Sequence, residues 1–289
     1  MSLSLIYFSM LFGGLSMLSY GIVDYMGALL ARKESAVKIT LWYFIITSVI
    51  MAAIGLAFIK PPAIPMYYVV VFPILSVISV LAFLSFLKGL QVGSISVITP
   101  IASAYPIIIV FAGVILLREM VTLLLGAGIA LIVLGTVLAS FKIKDLRKLR
   151  VKRALPGIKY ALITLVGWGV LFASVGIISK VLGWFYPILI LSVGSAIVLF
   201  FYSAIKRVKT AFPHRITFPM LLYVIIGTAA FLFYSIGTSR GAIAVVGPLA
   251  GAAPLIAITL AMTLKRERVD LNQAIGIACI LIGILILAV

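Results

Sequence analysis

Long apolar runs separated by short polar segments extend along the whole chain of 289 residues. The hydrocarbon core of a bilayer is about 30 Å thick and an α-helix rises about 1.5 Å per residue, so one crossing needs about 20 apolar residues. The pattern predicts an all-α integral membrane protein with ten transmembrane helices, several of them joined as antiparallel hairpins. The predicted spans are residues 5–30, 39–59, 67–87, 94–117, 121–141, 157–179, 185–205, 217–239, 243–264 and 270–289.

The composition excludes a soluble protein. Hydrophobic residues make up 65% of the chain, charged residues only 10%, and the mean hydropathy is +1.36. Soluble domains contain roughly 45–50% apolar and about 25% charged residues. The single cysteine, Cys279, excludes an intrachain disulfide and a cysteine-built metal site. With one histidine, His214, and no GxxxxGKS/T, HExxH or GxSxG motif, the sequence predicts no enzyme activity, cofactor or metal site.

Basic residues outnumber acidic residues by 23 to 6, which gives a formal charge of +17. Because the bases lie between the apolar runs, they favour contact with anionic lipid headgroups over nucleic acid. Nineteen of them fall in the odd-numbered loops, and the four even-numbered loops hold one each: Lys60, Arg118, Lys180 and Arg240. By the positive-inside rule, the odd-numbered loops, including the basic linker 142–156, lie in the cytoplasm and both termini lie outside. The sequence therefore predicts a multi-pass protein of the cell membrane.

The chain contains an internal repeat. When the sequence is shifted by 148 residues, 89–138 align with 237–286 without a gap, and nineteen of the fifty pairs are identical. The identities include glycines, two prolines and an Arg-Glu pair, which shared apolar composition does not explain. Each unit therefore has five helices, and the odd number makes the second unit enter the membrane in the opposite sense. Such inverted repeats are typical of secondary transporters, whose site lies near the midplane between the halves.

Two stretches carry a family resemblance: KGLQVGSISVITPIASAYPIIIVFAGVILLREMVT and TSRGAIAVVGPLAGAAPLIAITLAMTLKRERVD. They resemble the two EamA domains of the drug/metabolite transporter (DMT) superfamily, and the resemblance covers nearly the whole chain. It implies a first repeat at 1–141, the basic linker at 142–156 and a second repeat at 157–289. Many members keep both termini in the cytoplasm, which conflicts with the charge distribution, and here the charge distribution is followed.

The resemblance also implies a function, namely export of amino acids, other metabolites or drugs by alternating access. Spans 1, 3 and 4 with 6, 8 and 9 would enclose the path. Since no nucleotide-binding motif is present, a gradient must drive transport. A lipid-linked sugar translocator and a non-transporting membrane protein are the alternatives. The expected partners are a small-molecule substrate and anionic lipid, in a monomer or homodimer.

One face of the first span carries small and polar residues at helical spacing: Ser9, Gly13, Ser16, Tyr20, Asp24 and Gly27. Either these residues line a path or they make a close helix–helix contact. Asp24 favours the path, because an ionised carboxylate in the hydrocarbon costs at least ~2.5–3.5 kcal/mol and needs a cavity or a partner. It could bind a proton or a cationic group of the substrate. A position near the membrane surface is the remaining interpretation.

Prolines recur at equivalent places in the fourth and ninth spans. Each removes a backbone donor and displaces the carbonyl four residues earlier, so each either opens the helix at the site or only bends it for packing. Two broken helices at matching positions favour the transport site. The helix-breaking candidates are Pro100, Pro106, Pro248 and Pro254, and the polar or small residues beside them are Ser96, Thr99, Ser103 and Gly251.

Aromatic and charged residues in other spans supply further candidates. Phe83, Phe86, Trp168 and Tyr234 either line the path or pack against neighbouring helices. Lys88 and Arg240 end spans three and eight, where they either reach the headgroups or turn inward to attract an anionic substrate or pair with Asp24. The Arg118-Glu119 and Arg266-Glu267 pairs are expected to end hairpins and pair locally, a gate role and a capping role being the alternatives.

Overall fold

A computed structural model describes residues 3–30, 33–59, 64–92, 95–144, 151–208, 210–212, 217–265 and 269–288. Within these ranges the chain forms twelve α-helices and no strand. The helices are α1 (Leu3–Leu30), α2 (Ala36–Phe58), α3 (Tyr68–Val92), α4 (Ile95–Ser103), α5 (Pro106–Leu116), α6 (Leu123–Ala139), α7 (Val151–Leu182), α8 (Tyr186–Ile205), α9 (Thr217–Arg240), α10 (Ile243–Gly251), α11 (Pro254–Lys265) and α12 (Leu271–Leu287).

These helices fit the ten predicted spans. Eight segments are long and apolar enough to cross a membrane, and two of them are the helix pairs α4–α5 and α10–α11. The shorter apolar helices α6 and α12 occupy the fifth and tenth spans. The main difference lies at α7, which begins at Val151. The last residues of the predicted linker therefore belong to a helix.

The fourth and ninth spans are each interrupted once. Helix α4 ends at Ser103 and α5 begins at Pro106, while α10 ends at Gly251 and α11 begins at Pro254. The missing N–H of proline is harmless at the first position of a helix, which explains where the new helices begin.

Pro100 and Pro248 lie inside α4 and α10 and do not end them. The prediction that these two prolines also break their helices is therefore wrong. A proline within a helix removes only one donor of the hydrogen-bond ladder, and each helix continues past that loss.

Helices α6 and α12 pack along each other in opposite directions. Gly128 lies against Gly283, and Gly135 lies against Gly276. Residue numbers therefore rise along one helix as they fall along the other, so the two helices are antiparallel. A Cβ atom at Gly135 would lie 2.6 Å from the carbonyl oxygen of Gly276, a distance that real side chains do not adopt. The 148-residue shift exchanges these two contacts, as an inverted repeat requires.

The same shift relates two other helix contacts. Helix α1 packs on α9, and its counterpart α7 packs on α3. Ser16 Oγ donates to the carbonyl oxygen of Ala230 (2.9 Å), and Thr164 Oγ1 donates to that of Ala82 (3.3 Å). The shift carries Ser16 to Thr164 and Ala82 to Ala230. The two units thus form matched contacts across the interface between them.

One contact breaks this symmetry. Helix α5 of the first unit packs on α10 of the second, where Gly247 lies against Ile109 and Gly251 against Pro106. The 148-residue shift relates this pair to α4 and α11, which have no comparable packing among the described residues. Among the described residues, the two broken spans, α4–α5 and α10–α11, therefore pack closely on each other only from the helix breaks toward the end of the bundle where α5, α7 and α9 end. That end is called the closed end below, and the opposite end, where the linker lies, is called the linker end.

Candidate functional site

Asp24 lies on α1 about 9 Å from the end of that helix at Leu30. It is exposed, and Gly27, one turn further along the same face of α1, lies against the ring of Tyr223 on α9. Its carboxylate is within electrostatic range of Tyr20 on the same helix, Tyr105 at the α4–α5 break and Tyr223 on α9. Because these tyrosines come from different parts of the bundle, the exposure of Asp24 is toward a space between the helices rather than toward lipid.

The space that Asp24 faces is called the cavity below, and a continuous series of aromatic ring contacts leads from Tyr223 to Tyr20 beside it. Successive ring centroids are 5.4 to 5.9 Å apart, within the range that aromatic pairs prefer. The series starts and ends at two tyrosines that lie beside Asp24. In order it consists of Tyr223, Tyr43, Phe44, Phe83, Trp168, Tyr105, Phe172 and Tyr20, and it is called the aromatic wall below.

Trp168 on α7 lies at the centre of the wall. Its ring contacts Phe83, Phe86 and Tyr105 at centroid distances of 5.6, 4.9 and 5.8 Å. Its Nε1 is buried and has no hydrogen-bond acceptor within the described part of the chain. An indole N–H usually finds a partner when it is buried, so this donor is available to an acceptor that enters the cavity.

The wall carries no compensating positive charge. Lys88 and Arg240 are exposed, and neither forms an ion pair with Asp24 in the regions that the structure describes. The interpretation in which one of them pairs with Asp24 is therefore wrong, because neither side chain comes within ion-pair distance of the Asp24 carboxylate. Asp24 thus stands as a single carboxylate among aromatic rings.

Glu119 joins the two units at the closed end. Its Oε1 accepts a hydrogen bond from the backbone N–H of Ile243 and its Oε2 one from that of Ala244, both at 2.9 Å. These N–H groups open α10, so a carboxylate here fills the role of a helix cap and meets the positive end of the helix dipole. Lys180 Nζ lies 3.8 Å from Oε1 and donates to the carbonyl oxygen of Gly241 at 2.6 Å. This group of residues is called the Glu119 closure below.

The prediction that Arg118 and Glu119 pair locally is wrong. Arg118 adopts a φ of +52° and is exposed, and the backbone N–H of Glu119 returns to the carbonyl oxygen of Gly113 at 3.0 Å. The turn directs the Glu119 side chain inward, where it is only 10% exposed. Arg266 and Glu267 lie outside the described residues.

The sequence matches the model of the EamA-like transporter family over residues 7–141 and again over 155–289. The chain belongs to the EamA-like transporter family. No curated protein matches this transporter significantly. One solved crystal structure, described only as that of a protein, is similar with a TM-score of 0.75 over 96% of both chains at 19% identity. That likeness shows the fold alone.

Several sequence-predicted residues of this transporter meet around the cavity. Tyr20 packs edge-on against Phe172 at 5.9 Å, and Phe83 and Phe86 both contact Trp168. Gly251 lies where a Cβ atom would meet Pro106 and the hydroxyl of Tyr105, so it allows the close approach of α10 to the helix break. Their roles in a transport path stay predictions.

Other predicted residues are engaged in packing or lie apart. Ser16 is fully buried and bonded to α9, and the hydroxyl of the fully buried Tyr234 donates to the carbonyl oxygen of Phe172 at 2.8 Å. Thr99 and Ser103 are half-buried on α4. The side chain of Ser96 lies outside the described residues.

Five members of the wall were not among the candidates: Tyr43, Phe44, Tyr105, Phe172 and Tyr223. Tyr105 follows the polar face of the fourth span and directly precedes Pro106, a position that could have indicated it. Phe172 is related to Asp24 by the 148-residue shift, which is a second available signal. Tyr43 and Phe44 lie on α2, a span not expected to enclose the path, and nothing in their spacing distinguishes them from packing residues.

Proposed function

We propose that this EamA-like transporter is a secondary active exporter that carries a small organic solute across the cell membrane by alternating access. The observation that carries the proposal is the exposed Asp24 inside an aromatic wall to which both units contribute. A charged residue within a span is costly, and in transporters such residues mark the substrate or ion path. The position between two repeats is where transporters of this architecture bind their solutes.

The unequal packing of the two ends supports alternating access. At the closed end α5 lies on α10 and the Glu119 closure bridges the units, whereas α4 and α11 have no comparable contact among the described residues. We infer that this conformation admits solute from the linker end. Alternation would then require the α5–α10 contact to open while its symmetry-related contact forms.

The distribution of basic residues supports an orientation of this conformation. If the basic linker lies in the cytoplasm, the cavity faces the cytoplasm and the closed end faces outward. Because importers and exporters both adopt such a conformation, export itself is proposed from the family resemblance. Driving energy would come from an ion or solute gradient, since the sequence contains no phosphate-binding loop.

Solute counterflow in proteoliposomes tests the proposal without knowledge of the coupling ion. Purified protein is reconstituted and loaded with one unlabelled solute at a time, and entry of the labelled form is followed. The solutes are phenylalanine, uridine, glucose and methyltriphenylphosphonium, one from each of four chemical classes. We expect protein-dependent counterflow of at least one solute. Absence of counterflow for all of them, in protein that is folded by thermal unfolding, would contradict the transporter function.

A further inference from the structure

We propose that a recess at the linker end of α8 binds the phosphate group of an anionic phospholipid, whose acyl chains lie along the exposed face of that helix. The recess has a volume of about 330 Å³ and is lined by Phe200, Ser203, Ala204, Arg207, Val208 and Thr210. It is called the α8 recess below. None of these residues belongs to the aromatic wall, and the inference does not depend on which solute is transported.

Backbone hydrogen bonds close the last turn of α8 beside the recess. The N–H of Arg207 donates to the carbonyl oxygen of Ala204 at 3.2 Å. The N–H of Val208 donates to the carbonyl oxygen of Ser203 at 2.9 Å. Such a pair of bonds ends a helix at a residue with positive φ, which is usually glycine. Here that residue is Arg207, with a φ of +51°, a conformation that costs a side chain free energy and is often retained for a function.

A buried hydroxyl without a hydrogen-bond partner also lines the recess. Ser203 is 1% exposed, and its Oγ has no partner in the part of the chain that the structure describes. A serine within a helix can donate to the carbonyl oxygen four residues earlier, as Ser48 and Ser76 do. A buried hydroxyl that makes no such bond is costly unless a ligand supplies the partner. A phosphate oxygen would accept from it.

The surroundings of the α8 recess are positively charged. Lys206 and Arg207 are exposed, and neither forms an ion pair within the described ranges. The sequence has no acidic residue between Asp145 and Glu267, and residues 206–215 hold four lysines or arginines. A guanidinium group matches the oxygens of a phosphate with two parallel hydrogen bonds. The charges therefore favour an anionic ligand that contains a phosphate.

An exposed apolar face of α8 leads to the recess. Val193, Ile197 and Phe200 follow one another at helical spacing and are 39%, 51% and 58% exposed. On a spanning helix such a face lies against the acyl chains of the bilayer. Since Phe200 also lines the recess, a lipid on this face would bring its phosphate to Arg207 and Ser203. This continuity favours a lipid over a free phosphate ion.

A tryptophan places the recess at the depth of the headgroups. Trp42 on α2 donates from Nε1 to the carbonyl oxygen of Thr210 at 2.9 Å, and its ring contacts that of Phe212 edge-on at 4.9 Å. Because α2 packs on α8, these contacts fix the loop after α8 between the two helices. Tryptophan is enriched where a bilayer meets water. At the linker end, which is predicted to be cytoplasmic, the leaflet contains the anionic lipids.

Thermal unfolding of the purified full-length transporter with soluble short-chain lipids tests the inference. Dioctanoyl-phosphatidylglycerol has an anionic phosphate and acyl chains, dioctanoylglycerol has only the chains, and inorganic phosphate has only the phosphate. In dioctanoyl-phosphatidylcholine an ammonium group balances the phosphate. We expect phosphatidylglycerol to raise the Tm with an affinity at least tenfold above that of each other probe. Equal affinity for inorganic phosphate would overturn the lipid source, and equal affinity for dioctanoylglycerol or phosphatidylcholine would overturn the anionic phosphate.

Two substitutions locate the phosphate. Arg207→Gly removes the guanidinium group at a φ that glycine prefers, so the lipid-free protein should keep or raise its Tm, while the affinity for dioctanoyl-phosphatidylglycerol falls at least tenfold. Ser203→Ala removes the hydroxyl and should lower that affinity about threefold. Arg118→Gly is the matched control, because Arg118 has a φ of +52° at the closed end, outside the recess. It removes the same charge and should leave the affinity unchanged.

The control separates a defined site from general attraction between charges. Unaltered affinity for dioctanoyl-phosphatidylglycerol in folded Arg207→Gly would overturn the inference. An equal loss of affinity in Arg118→Gly and Arg207→Gly would also overturn it, because the lipid would then respond to net charge alone. If Arg207→Gly does not fold, the affinities of Arg207→Gln and Ser203→Ala decide in the same way.

Discussion

The Glu119 closure predicts a measurable shift in the conformational equilibrium of the transporter. Glu119→Ala removes both acceptors for the first N–H groups of α10, and each hydrogen bond to a charged group contributes about 1.5–3 kcal/mol. When the closed end opens, these N–H groups bind water instead of Glu119, so only part of the hydrogen-bond energy favours the closed state. We take this part as roughly 3 kcal/mol, and Glu119→Ala removes it. Since about 1.4 kcal/mol corresponds to a tenfold change, the open population rises on the order of 100-fold.

Glu119→Gln should have a smaller effect of the same sign. The amide oxygen of glutamine still accepts one hydrogen bond, but the charge that faces the positive end of α10 and Lys180 is gone. A charge at a partly buried helix terminus contributes up to ~2 kcal/mol. We therefore expect an increase of roughly tenfold in the open population, between wild type and Glu119→Ala.

Thiol accessibility measures this population. Ala244→Cys, in a background that lacks the native cysteine, places a thiol at a position that is 1% exposed beside the closure. An impermeant maleimide added from the closed end should label it slowly in wild type, about tenfold faster in Glu119→Gln and on the order of 100-fold faster in Glu119→Ala, in line with the open population. Glu34→Gln removes another ion-paired carboxylate and should leave the rate unchanged. Equal labelling rates in wild type and Glu119→Ala would refute the role of the closure.

Three further predictions concern topology, the helix break and packing. In intact cells, a single cysteine that replaces Lys144 should resist labelling by an impermeant thiol reagent, whereas one that replaces Arg240 should be labelled. The reverse labelling pattern would show that the predicted orientation is inverted. Pro106→Ala should lower counterflow more than it lowers the yield of folded protein, because the break holds Tyr105 at the cavity; equal losses would indicate a packing role. Gly135→Ala should destabilise the protein by about 2 kcal/mol or more in thermal unfolding, since its Cβ would meet the backbone of α12. Gly126→Ala, which meets only a loose contact, should be neutral or stabilising by up to about 1 kcal/mol.

The helices and the duplication were predictable because they depend on quantities that one sequence contains. A run of about 20 apolar residues is helical in a membrane over most of its length, since unpaired backbone groups are not tolerated where they face hydrocarbon. The family match over both halves confirms the two EamA domains that the repeat indicated. Helix ends were less predictable: α7 begins in the basic linker at Val151, where composition alone indicated a loop.

The site was predictable only where a charge or a break in periodicity marks it. Asp24 stood out because of its cost in a span, and Pro106 because of its missing donor. The face of an apolar helix that meets a partner leaves no such mark, so Tyr43 on α2 could not be distinguished from packing residues. The partners of Glu119 lie 124 and 125 residues away along the chain, and only the turn at Arg118 directs its side chain to them.

The repeat also explains how a symmetrical scaffold holds a directional site. Contacts that set the helix positions are matched across the two units, as in the bonds from Ser16 and Thr164. Residues that face the cavity differ instead, with Asp24 opposite Phe172 by the same shift. If the site kept the symmetry at this position, it would hold two carboxylates, whose mutual repulsion would disfavour both charged forms, or two rings and no charge. One carboxylate at a position where the other unit has a ring makes the two sides of the site chemically different, while under the proposed alternating access the matched scaffold would let the two ends of the bundle exchange their roles.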